Sequence, residues 1–166
     1  MKCTKFAAAI ALCLTMGQAF AAQDCTTPTA LTQAGVSGVN SCNETNTVGT
    51  LCTFNSNPSP DVIFSFSLAA GHTATQISLT NSTAGFTPNL VVQTACGSGD
   101  DCTGTATAAA AGGNVSLVFA NQTPAIGNGS FFLVVDGSTA SATDCGTFAL
   151  SVDGTLPVQL QKFSVD

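Results

Sequence analysis

Asp61–Leu68 reads DVIFSFSL, with Val62, Phe64, Phe66 and Leu68 in one phase and Ser65 and Ser67 in the other. That period-two alternation is the signature of a β-strand with one face in a core. Pro58 and Pro60 fence its start and Gly71 its end. Working outward, strand-like runs recur in Thr73–Thr80 (Ile77 and Leu79 in phase), Leu90–Ala95, Asn114–Ala120 (Val115, Leu117 and Phe119 in phase) and Gly146–Val152 (Phe148, Leu150 and Val152 in phase). Ser130–Asp136, SFFLVVD, is apolar in both phases and is expected to be a central strand covered on both faces. Asp136-Gly137 and Asp153-Gly154 are turn dipeptides. Thr26–Thr47 and Gly97–Gly113 lack alternation and read as long loops, the run Ala108–Ala111 included. No amphipathic helix follows Ala22. The pattern predicts an all-β, disulfide-stapled sandwich of roughly seven to nine strands.

The chain has 166 residues, one domain's worth, of which 45% are hydrophobic and only 7% charged. Met1–Ala22 has the form of a cleaved secretory signal: Lys2 and Lys5, the apolar run Phe6–Met16, then Ala19-Phe20-Ala21. The run is too short for a comfortable membrane span. Leu12 stands before Cys13 where lipidation needs a small residue. Once the signal is removed, nine acids face Lys162 alone, a formal charge of −8. Such a chain does not hold nucleic-acid phosphates and is repelled by anionic lipid. Six cysteines remain: Cys25, Cys42, Cys52, Cys96, Cys102 and Cys145. An even number in an exported chain predicts three bridges. Proximity in sequence pairs Cys96 with Cys102; for the other four, Cys42–Cys52 with Cys25–Cys145 is the expectation, one of several sets that the spacing allows.

The material for chemistry is thin. His72 is the single imidazole, it falls in a turn, and no G-x-S-x-G elbow accompanies it. The thiols can pair completely, and their spacing is not that of a zinc site. With neither Trp nor Tyr, nothing is available to stack a sugar beside two carboxylates. The expectation is a protein that is not an enzyme. Asp100 and Asp101, with Asp61 or Asp136 from neighbouring strand ends, form a candidate set of oxygen ligands for Ca²⁺.

Five stretches taken in order carry a family resemblance: Asp61–Phe66 running into Ala70-Gly71, Asn89–Val92, Cys96 to Cys102, Phe131–Gly137 and Cys145–Val152. Residues 60–154 resemble the bacterial pre-peptidase C-terminal domain, a secreted β-sandwich module often appended to exported hydrolases. The resemblance implies a jelly-roll-like sandwich, a binding or accessory role, no active site and, in some relatives, calcium held by acidic loops. Asn89 stands where many relatives carry Asp, which counts against that metal site. On this reading residues 1–22 are the signal, 23–59 a loop-rich N-terminal segment joined to the domain, 60–154 the module and 155–166 a strand or tail. Leu156–Phe163 is also similar to a short segment near the ends of many exported bacterial proteins.

The function these observations imply is that of a secreted, non-catalytic binding or adhesion module at the cell surface or beyond it. Its partner would be an extracellular protein, a polysaccharide or a surface. The alternative is a self-assembling subunit of an extracellular fibre or matrix. Its donated strand would be the phase-broken tail, in which Val158 and Leu160 match each other and Phe163 and Val165 match each other.

Overall fold

The structure, a computed structural model, describes residues 24–52, 58–97 and 101–156. The signal Met1–Ala22, Asp100 and the tail residues Val158, Leu160, Phe163 and Val165 lie outside the described residues. Nine strands follow in chain order: β1 (Thr29–Ala30), β2 (Val36–Asn40), β3 (Val62–Leu68), β4 (Gln76–Thr80), β5 (Pro88–Gln93), β6 (Gly104–Thr107), β7 (Val115–Val118), β8 (Gly129–Gly137) and β9 (Thr147–Asp153). They form two sheets, one five-stranded in the order β1-β3-β8-β5-β6 and one four-stranded in the order β2-β9-β4-β7. Only β1 runs parallel to its neighbour. The chain is a β-sandwich, as the alternation predicts. No helix among the described residues is long and apolar enough to cross a membrane.

The alternation sorts side chains as the sequence demands. Val62, Phe64, Phe66 and Leu68 of β3 meet Ile77 and Leu79 of β4 and Phe148 and Leu150 of β9 in the main core between the sheets. β8 is the middle strand of the larger sheet, and its two apolar faces are both used. Leu133 and Val135 enter the main core, while Val134 enters a second one with Val48, Leu51, Ile63 and Val91. The second core lies on the outer face of the five-stranded sheet, roofed by the strap from Cys42 to Cys52.

Two stretches expected as loops contain strands. β1 and β2 arise within Thr26–Thr47, and β6 within Gly97–Gly113. β1 has two residues, β2 shifts register between Val36 and Val39 around Gly38, and β6 reads GTAT. None shows the large alternating side chains that reveal a strand. All three are sheet edges, where pairing with one neighbour suffices.

All three expected pairings are replaced. The bridges are Cys25–Cys96, Cys42–Cys145 and Cys52–Cys102. Cys42–Cys145 continues the β2–β9 ladder, since Asn40 faces Thr147 and two steps further the cysteines face each other. Ser41, between them, exchanges hydrogen bonds with Gly146 through both its backbone and its hydroxyl. Cys96 and Cys102 need no mutual bridge because Asp101 already closes their connection, accepting from the amides of Thr94 and Ala95. Both thiols instead meet the N-terminal segment laid against the second core. Three disulfides mark a chain that folds in an oxidising environment.

Candidate functional site

Two features of the sandwich carry chemistry: a buried row of polar side chains under the strap, and the open face of the smaller sheet.

The row follows from register. One step beyond the Val62–Val135 pair, Asp61 falls opposite Asp136; Asp136 faces Asn89 on β5, and Asn89 faces Thr107 on β6. In phase with Ile63, Val134 and Val91, these side chains share the outer face of the five-stranded sheet. Asp61, Asp136 and Asn89 are all fully buried. Asp61 Oδ2 accepts from the strap amides of Thr47 at 2.9 Å and Val48 at 2.7 Å, while Oδ1 is buried with no hydrogen-bond partner among the described residues. Asp136 accepts from the Gly137 amide at 2.7 Å and from the Ser59 hydroxyl. Asn89 Oδ1 takes the Thr107 hydroxyl at 2.8 Å, and its Nδ2 has no partner among the described residues.

Asp144 completes the group from the β8–β9 connection, gripping the amides of Thr87 at 2.8 Å and Thr139 at 2.9 Å. It packs where a side chain on Gly137 would stand, so that glycine admits it. Burial pushes the Asp61 carboxyl up to about 6, against the hydrogen bonds from Val48 and Thr47. Burial pushes Asp136 up to about 8, opposed by the Ser59 hydroxyl and reinforced by the charge of Asp61. Like charges brought together in a dry site resist ionisation.

Of the four acids named as calcium candidates, Asp100 lies outside the described residues, and the other three do not converge. Asp61 and Asp136 meet, but Asp101 sits beside Thr94, about 17 Å along β5 from the row at the usual strand rise. Burial raises the Asp101 carboxyl, but the hydrogen bonds from Thr94 and Ala95 outweigh it and hold the group below the usual range. Among the described residues, no three His, Cys, Asp or Glu side chains are grouped to hold a metal ion. His72 sits in the turn expected of it, its amide bonded to the Ala69 carbonyl and its Nδ1 without a partner among the described residues.

The second feature is the outer face of the four-stranded sheet. Ser78 on β4 faces Ser116 on β7 and Ser151 on β9, giving a row of three serines across the sheet. The Ser78 and Ser116 hydroxyls lie 2.8 Å apart. Hydroxyl pairs flank the row, Thr83 with Thr147 at 2.6 Å and Thr73 with Thr155 at 2.8 Å. Gln76, Thr80, Ala149 and Val118 fill the face, and Asp153 is the one charged side chain on its strands. The sequence shows these residues as the outward phase of each strand, but their alignment into one row depends on register. Asp144 and Ser59 lie in connections without a motif, so the sequence alone does not mark them.

No family model matches this chain, and no match exists among curated proteins or solved structures.

Proposed function

We propose that the protein is a secreted, non-catalytic binding module that presents the serine-rich face of its smaller sheet to an uncharged extracellular macromolecule. One observation carries the reading. The larger sheet is covered on both sides, while the smaller sheet leaves a stiff surface of small hydroxyls with a single charge. Hydroxyl donors and acceptors held on a rigid sheet lose little entropy on binding. The signal-like Met1–Ala22, the three bridges and the resemblance of residues 60–154 to pre-peptidase C-terminal modules support the same reading. The contact is broad rather than deep, since neither Trp nor Tyr is present to anchor a sugar.

The test is co-sedimentation of the oxidised protein with insoluble neutral polysaccharides and matrix proteins, beside a Ser116→Arg, Ser151→Arg double variant. Both serines are exposed, so the fold tolerates the change. Binding that the double variant weakens at least about tenfold supports the reading. Binding untouched by the substitutions, or no retention on any member of the panel, overturns it. Concentration-dependent fibres in electron micrographs would replace it with the self-assembling subunit.

A further inference from the structure

Asp61 uses one carboxylate oxygen fully and leaves the other bare. Oδ2 holds the two strap amides, while Oδ1 is shut away from water with no donor among the described residues. A buried polar atom in that condition costs free energy unless something supplies its missing partner. Opposite it, on the next strand, stands a second fully buried carboxyl, that of Asp136. The groups facing the pair make matters worse. Glu44 reaches Asp61 from the strap, and Asp144 reaches Asp136 from the β8–β9 connection. Asn89, on the far side of Asp136, is neutral, and residues 53–57 contain no titratable side chain. The three lysines of the chain, Lys2, Lys5 and Lys162, all lie outside the described residues.

We propose that Asp61 and Asp136 form a proton-binding pair that latches the strap from Cys42 to Cys52 onto the sheet. A proton taken from solvent supplies the donor that Oδ1 lacks and removes one of two opposed charges, leaving Oδ2 free to keep Thr47 and Val48. Its return to solvent puts two anions on adjacent strands beneath the strap, and their repulsion is relieved by admitting water there. The strap is tied at one end by Cys42–Cys145 and at the other by Cys52–Cys102, so it loosens without leaving. Burial of both carboxyls already places their ionisation above the ordinary aspartate range. The inference is independent of the serine-rich face and goes beyond the binding role.

The experiment is a titration of the isotope-labelled, oxidised protein from about pH 4 to about pH 10 in chelator. It follows the side-chain carboxyl ¹³C shifts of Asp61 and Asp136 and the exchange protection of the Thr47 and Val48 amides. At least one carboxyl should titrate near or above neutrality, and Val48 protection should fall about tenfold over the same range after correction for intrinsic exchange. Asp61→Asn and Asp136→Asn imitate the protonated carboxyl and should flatten the protection profile. Ordinary midpoints for both carboxyls, or wild-type protection that ignores pH, overturn the proposal. The wild-type titration decides even if a variant fails to fold. A shift of either carboxyl on adding millimolar Ca²⁺ at neutral pH would make the pair a metal site and overturn it too.

Discussion

At the scale of single residues, exposure decides which of two opposite effects a carboxylate has here. Asp24, which keeps contact with solvent, gathers the amides and hydroxyls of Thr26 and Thr27, and these bonds, that of the Thr26 hydroxyl foremost, hold it to about 2. Its charged form is the folded form, so its contribution is present above the ordinary range and lost as pH falls through about 2. Buried Asp61 and Asp136 behave the other way. Their folded values, about 6 and about 8, lie above the unfolded 3.8. The folded chain therefore binds their protons more tightly than the unfolded chain does. The stability they contribute is complete below about pH 4 and lost as pH rises through about 6 and then about 8. Melting temperature at fixed ionic strength should accordingly fall between pH 5 and pH 8, and Asp136→Asn should remove most of the fall above pH 6. Calorimetry across that range checks it; a melting temperature that climbs from pH 5 to pH 8 contradicts the assignment.

At the scale of elements, β8 shows what patterning can reveal. A strand apolar in both phases must be covered twice, and SFFLVVD is. Its two faces are not equal in weight, however. Phe66 on β3 lies deep in the main core, its ring 5.4 Å from that of Phe131 and 6.2 Å from that of Phe119. Phe132 only borders the second core and stays half-buried. Phe66→Ala should cost about 3–5 kcal/mol and Phe132→Ala clearly less, read from urea midpoints. Similar losses would mean that the two cores are equally tight. The same reasoning separates what was legible in the sequence from what was not. Strands that bury long side chains in alternation, β3, β4, β5, β7, β8 and β9, announce themselves. β1 and β6 do not, because a short edge of Thr, Ala and Gly is defined by its neighbour's hydrogen bonds, and β2 does not because its register shift puts Val36 and Val39 out of a two-residue period. Asp61 and Asp136 were visible as acids at strand ends. That they oppose one another, with Asn89 next in the row, is a fact of register, which no single strand contains.

At the scale of the whole molecule, the three bridges tie the N-terminal segment to the sandwich. They close stretches of 71, 103 and 50 residues. Chain entropy grows only with the logarithm of loop length, so each taken alone is worth roughly 4–5 kcal/mol on that model, and length does not rank them. Position does. Cys42–Cys145 extends the β2–β9 ladder beside the Ser41–Gly146 hydrogen bonds, inside the cooperative body of the smaller sheet. Cys52–Cys102 pins the roof of the second core, which rests on Val48 and Leu51 and on the Asp61 latch. A roof can open while the sandwich beneath it stays folded. Replacing Cys42 and Cys145 with Ala should therefore lower the melting temperature by about 5–15 °C, corresponding to about 2–4 kcal/mol. Replacing Cys52 and Cys102 should lower it less, and should instead strip exchange protection from Val48 and Leu51 while leaving Leu133 and Phe148 protected. Equal losses of melting temperature, with Val48 and Leu133 exchanging together, would show that roof and sandwich unfold as one unit. The strap would then have no freedom of its own to gain when the Asp61–Asp136 pair gives up its proton.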